Sequence, residues 1–500
     1  MTALRALTGV MALAIAALCI WQLERDRAGL VITALEGTGS TPATLFHRAD
    51  ATPAPLVVIA HGFAGSEQLM HPFALTLAQS GYLVATFDFM GHGRNPVPMS
   101  GDVTSVDGTT QLLMQEVGRV TDAALAHPLA DGRVALLGHS MASDIVVRQS
   151  LADDRVTATV AVSMFSQAVT ASTPANLLIL VGDWEGMLKT EALRALHLAD
   201  PDAVAGQTVG DPATGTGRRA VFAPMVEHVG VLYSMTSLTE AQAWLDATFG
   251  RMSEINALQR GGWIALLLVA VVALGWPLAG LLPAATTVAA PLSRGAFLIT
   301  AGTPALLTPL VLWPFDTRFL PVLVADYLAL HFAVYGALTL GLLAWMNRAR
   351  LSGPHHWGRS LWIAAAVAVF GIAVFGGVMD RYVASFFPHA GRVPIIAAMA
   401  LGAVPFMLGD AFLTMGGRAA IWRTVTVRAL FLASLGLAVA LDFERLFFLL
   451  IILPVILLFF ILFGVMGGWV GRRSGLPAAG GIGLGLVLAW SLGVTFPLFV

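Results

Sequence analysis

The stretch VALLGHSMAS at residues 134–143 places a serine, Ser140, where an apolar run gives way to a helical pattern. On a sharp turn between strand and helix, a serine hydroxyl is lifted clear of the sheet with the positive end of a helix dipole behind it. Those are the conditions under which a weak oxygen nucleophile attacks an acyl carbon. Three ionisable residues inside the apolar C-terminal half, Asp326, His331 and Asp410, are the other candidates for chemistry. Charge is costly in lipid, so such residues face a bundle interior and either join helices by hydrogen bonds or mark a polar path.

Composition bounds what surrounds these residues. The chain has 500 residues, of which 57% are hydrophobic and 12% charged, too apolar for an ordinary soluble protein and long enough for more than one domain. Residues 30–250 carry the charge and the Gly/Pro punctuation of a globular domain, whereas residues 262–499 are long apolar stretches; the boundary falls at GRMSEINALQRGG. A net charge of -2 with no run of Lys/Arg argues against nucleic acid as a partner. The single cysteine, Cys19, excludes an intrachain disulfide, and without a small residue before it the site reads as packed or lipid-facing rather than lipidated.

About 20 apolar residues span a bilayer. Segments near 263–282, 295–314, 321–345, 360–379, 393–415, 425–441, 446–469 and 476–498 qualify, and residues 1–25 hold one more, an anchor or a signal segment. The most basic loops, at 347–359, 417–428 and 471–473, are expected on the cytoplasmic side, which puts the globular domain outside. No internal repeat of the kind transporters show is evident. These features predict an integral protein of a bacterial-type inner or plasma membrane with an extracytoplasmic domain.

Within the globular half, apolar runs at 56–60, 83–89, 134–138, 158–163, 176–182 and 219–224 alternate with amphipathic stretches, after a leading hairpin near Leu30 and Leu45. That alternation predicts a mostly parallel sheet with helices on both faces, whose chemistry lies at the carboxyl ends of the strands. HGFAGS at 61–66 follows the first long run, DFMGHGRNP at 88–96 the second and GHSMA at 138–142 the third. In this order, residues 45–249 resemble the α/β-hydrolase family. The resemblance departs from the usual G-x-S-x-G elbow at Ala142, the smallest side chain able to replace its second glycine.

The resemblance implies a serine hydrolase with Ser140 as nucleophile and His228, after the last strand, as base. Glu185 is its implied acid and Asp183 the alternative, both in the turn LVGDWEG. The backbone N–H groups of Met141 and Phe63 form the implied oxyanion hole. His61 and His92 are expected to order their loops, and His139 to face away from the line of attack. His355 and His356 lack the company of a metal site, so neither metal nor cofactor is implied. With no room for a large cap between residues 163 and 176, the pocket is expected to be open. The expected function is cleavage of a small-molecule or lipid ester, or an amide or thioester, by a membrane-bound enzyme; acyl transfer and oligomeric state stay open. The alternative is a transporter or membrane scaffold carrying an inactive hydrolase-like binding domain.

Overall fold

The computed structural model describes residues 3–102, 106–254, 256–284, 291–346 and 356–499. The chain forms two compact units. One comprises Cys19–Ala265, Asp380–Ser385 and Pro497–Val500; the other comprises Met1–Leu18, Leu266–Met379 and Phe386–Phe496.

The globular unit is built on nine strands: β1 (Leu30–Ala34), β2 (Ala43–Arg48), β3 (Ala54–Ala60), β4 (Leu83–Phe87), β5 (Ala130–His139), β6 (Val156–Val162), β7 (Leu177–Gly182), β8 (Thr208–Val209) and β9 (Arg218–Ala223). They lie in the order β1-β2-β4-β3-β5-β6-β7-β9-β8. Pairing is parallel from β4 through β9 and antiparallel at the two edges. The central strands β3 and β7 have no polar side chain because both faces are covered. In β7, Leu178 and Leu180 pack into one core with Phe73, Leu77 and Trp244, while Leu177, Ile179 and Val181 pack into the other with Val147, Met164 and Leu196. Apart from Met164, those side chains come from helices on the two faces, a set comprising α2 (His71–Gln79), α3 (Gln111–Leu125), α4 (Met141–Ala152), α5 (Gly186–His197) and α6 (Met235–Phe249).

Among the described residues, nine helices are long and apolar enough to cross a membrane: α1 (Ala3–Arg25) and eight between Arg260–Ala279 and Pro477–Thr495. Their number and composition are those of a membrane protein. In the helical unit the three ionisable residues singled out above have partners. Asp326 accepts the backbone N–H groups of Tyr327 (2.8 Å) and Phe319 (3.1 Å). His331 Nε2 lies 3.1 Å from the Ser434 hydroxyl on another helix, and Asp410 faces Arg428 at 3.5 Å. Most of the basic loop at 347–359, with His355, lies outside the described residues, while His356 precedes the helix beginning at Trp357.

Candidate active site

The turn from β5 into α4 carries Ser140 at φ 55°, ψ -118°, a left-handed conformation costly for a residue with a side chain. Hydrogen bonds hold it there. The Ser140 N–H donates to the Val162 carbonyl at 2.9 Å, and the N–H and hydroxyl of Ser143 both donate to the Ser140 carbonyl, at 2.9 and 2.5 Å. The turn is so tight that a Cβ on Gly138 would lie 2.4 Å from the Ala142 carbonyl oxygen, whereas Ala142 keeps its own methyl group fully buried.

Two loops at the carboxyl ends of neighbouring strands meet this serine. His228, beyond β9, brings Nε2 to 2.8 Å from Ser140 Oγ, and its Nδ1 lies 2.5 Å from Glu185 Oε1, beyond β7. With Nδ1–H donating to the carboxylate, Nε2 is left with the lone pair that accepts the serine proton. Glu185 is itself fixed: Oε2 accepts the Gly182 N–H at 2.6 Å and the Ser163 hydroxyl at 2.8 Å. Burial pushes the Glu185 pKa up, but the hydrogen bonds from His228, Gly182 and Ser163 together hold it below the usual glutamate value. Asp183 points elsewhere, to Lys189 Nζ at 2.6 Å, and is half exposed. The structure therefore brings Ser140, His228 and Glu185 together and leaves Asp183 out.

The His61 loop lies against the elbow: a Cβ on Gly62 would sit 3.0 Å from Ser140 Cβ. Phe63 is the next residue, and Met141 opens α4 directly after the serine. His61 Nδ1–H donates to the Gly62 carbonyl at 2.8 Å while Nε2 accepts the Phe89 N–H at 3.1 Å, which defines its tautomer and ties this loop to the one after β4. Burial lowers the His61 pKa, against the neighbouring charge of Asp88. His92 Nδ1–H donates to the Met90 carbonyl at 2.9 Å, and its ring meets that of Phe63 edge-on at 5.7 Å.

Three contributions escaped the sequence reading. His139 lies 4.9 Å from the His228 ring, and its Nε2–H donates to the His228 carbonyl at 2.9 Å. Burial, and then the proximity of His228, push its pKa down to about 3, so it stays a neutral donor. Ser163 was visible only as a strand end. The third is two segments from the apolar half that fold into the globular unit. Leu498 donates to the Gly91 carbonyl (2.9 Å) and accepts the Met99 N–H (2.8 Å). Ser385 donates its N–H to Ser66 Oγ and its hydroxyl to Gln68 Oε1, both at 3.0 Å. One strap fastens the end of the His61 loop and the other the loop after β4, and only the short polar island around Asp380 hinted at either. Gly91 sits at φ +76° with its missing Cβ position 2.7 Å from the Leu498 carbonyl oxygen. Gly91→Ala is expected to displace the strap and lower stability by about 1–3 kcal/mol, as read by thermal unfolding of the full chain.

Residues 51–197 match the family model described as serine aminopeptidase, S33. The chain carries an α/β-hydrolase domain. No curated protein matches it in sequence. Solved structures similar to the hydrolase domain include an epoxide hydrolase from Vigna radiata (20% identity, 27% of this chain and 39% of that one, TM-score 0.22). Others are a CIB-like hydrolase from Thermoplasma acidophilum (14%, 43% and 97%, TM-score 0.33) and a bacterial membrane phospholipase A (15%, 49% and 96%, TM-score 0.31). The chain thus spans about two fifths of the epoxide hydrolase's length, 39%.

Proposed function

We propose that this protein is a membrane-bound serine hydrolase that cleaves an ester, amide or thioester through an acyl-enzyme on Ser140. The observation that carries the reading is the unbroken relay from Ser140 Oγ to His228 Nε2 (2.8 Å) and from His228 Nδ1 to Glu185 Oε1 (2.5 Å). His228 takes the serine proton as Oγ adds to the carbonyl carbon, and returns it to the leaving alcohol or amine as the tetrahedral intermediate collapses. Water then gives its proton to His228, attacks the acyl-enzyme and releases the acid with Ser140 restored. Glu185 keeps Nδ1–H directed and stabilises the imidazolium. The N–H groups of Met141 and Phe63 receive the oxyanion, each such donor being worth about 10²–10³ in rate.

Substrate class follows from the rim. Phe165, Trp184 and Met225 are exposed in the loops after β6, β7 and β9, which also bear Ser163, Glu185 and His228, and Met187 is exposed on the first turn of α5. Such a rim suits an apolar acyl group, including one of lipid origin. The basic segments at 417–428 and 471–473, which lie at the start of the helix Ile421–Leu441 and the end of the helix Leu449–Ser474, support a cytoplasmic placement of those ends and an extracytoplasmic hydrolase domain. Labelling of the full-length protein in membranes with a fluorophosphonate, followed by peptide mapping, is the test. The expected result is a single adduct on Ser140; a folded chain that takes no label would favour a binding domain without catalysis.

A further inference from the structure

A pocket of the globular unit, about 310 Å³ in volume, is lined by Arg27, Arg94, Arg381, His71, Glu67 and Asp380 among others. Arg27, Arg94 and Arg381 line it with Asp380 and Glu67, Arg260, Glu24 and Asp26 belong to the ion pairs beside it, and three of these four acids are taken. Arg381 donates to both oxygens of Glu24 at 2.9 and 2.7 Å, Arg94 to Asp380 at 2.7 Å and Arg260 to Asp26 at 2.7 Å. Arg27 is the charge left over. Its nearest carboxylate oxygen, Glu24 Oε2, is 3.8 Å away and already bound by Arg381 at 2.7 Å. Among the described residues its guanidinium makes no hydrogen bond, although its side chain is only 14% exposed. A half-enclosed guanidinium with five idle donors is an arrangement that an oxyanion completes.

Two neighbours agree. His71 is buried, and its Nδ1 has no partner among the described residues. Burial and then the charges of Arg27, Arg260, Arg381 and Arg94 push its pKa well below the usual value, so the ring adds a neutral polar group to a positive wall. Glu67, the remaining carboxyl in the lining, has its pKa raised to about 7 by burial and by Asp88, and so contributes less than a full negative charge near neutrality. Position along the chain points to where the anion comes from. Arg27 lies two residues past the end of the apolar helix α1, and Arg381 is in the last turn of the apolar span Trp357–Tyr382. Ends of membrane-spanning helices lie at the level of lipid headgroups.

We propose that this pocket binds the phosphate of an anionic lipid headgroup, with Arg27 as its principal donor and Arg94 and Arg381 on its flanks. Free phosphate offers the same chemistry, so the test separates the two. Full-length protein is reconstituted in nanodiscs of phosphatidylcholine with phosphatidylglycerol, extracted gently and weighed by native mass spectrometry, a readout that does not depend on Ser140 chemistry. Retention of one phosphatidylglycerol in preference to phosphatidylcholine is expected, and Arg27→Gln is expected to lower it about tenfold, the loss of one charge-assisted contact. Arg27→Gln also removes a repulsion from Arg381 and Arg260, so its fold is expected to survive; competition by dihexanoyl phosphatidylglycerol on the unmodified protein serves as a variant-free check. Equal retention of both lipids, unchanged retention in Arg27→Gln, or competition by inorganic phosphate as strong as that by the short-chain lipid would overturn the proposal.

Discussion

Alanine in place of Ser140 or His228 is expected to lower kcat on an activated ester by about a million-fold, leaving only the residual rate that an oxyanion hole and binding give. The two losses should not add. Once either partner is gone, the proton has no route from Oγ, so the double variant is expected to match the singles. Glu185→Gln is expected to cost about 10⁴-fold: its amide can donate to Nδ1, favouring the tautomer whose Nε2 carries a proton and cannot accept one. The control is Asp183→Asn, expected to leave kcat within about twofold, because Asp183 Oδ1 is engaged 2.6 Å from Lys189 Nζ and not with His228. Burst kinetics on a chromogenic ester would read all five variants. A Glu185→Gln enzyme of full activity would remove the carboxylate from the mechanism.

The sheet was legible in the sequence because its strands are buried on both faces. Runs such as LVVIA and LLILV have no polar position, and the turns between them are marked by glycine and by the motif residues themselves. The place of Ser140 on its turn was legible for the same local reason: strand, turn and helix are contiguous. The choice between Glu185 and Asp183 was not, since two residues apart on a turn of unspecified geometry their carboxylates can exchange directions, and the decision comes from Gly182 N–H and Ser163, which bind Glu185 Oε2 at 2.6 and 2.8 Å. A regular elbow alone predicts that His139 points away from the line of attack. What it meets is the backbone of a residue 89 positions later, and no local pattern encodes that. The straps at 380–385 and 497–499 were hidden for a different reason. Hydropathy averages over windows of about 19 residues, and three to six residues at or past the end of an apolar helix that pair with a distant loop do not alter such an average.

The elbow makes the last expectation quantitative, because its two small residues are not equivalent. An alanine methyl at Gly138 would stand 2.4 Å from the carbonyl oxygen of Ala142, 2.7 Å from its carbonyl carbon and 2.8 Å from Val146 Cγ2. Two of those three atoms are backbone, so rotating a side chain cannot relieve the overlap; the helix start must move, and Met141 moves with it. Overpacking of this kind costs about 1–3 kcal/mol in stability, and a displacement near 1 Å at the reacting atoms costs about 10²-fold in rate. Gly138→Ala is therefore expected to label with fluorophosphonate at least a hundredfold more slowly than the unmodified enzyme, even where circular dichroism shows a folded chain. Ala142→Gly removes a methyl group that is fully buried, and is expected to keep the labelling rate within a few fold while losing about 1 kcal/mol from cavity and helix propensity. The contrast locates the constraint in the approach of residue 142's carbonyl to residue 138, which is why alanine serves at one end of this turn and only glycine at the other.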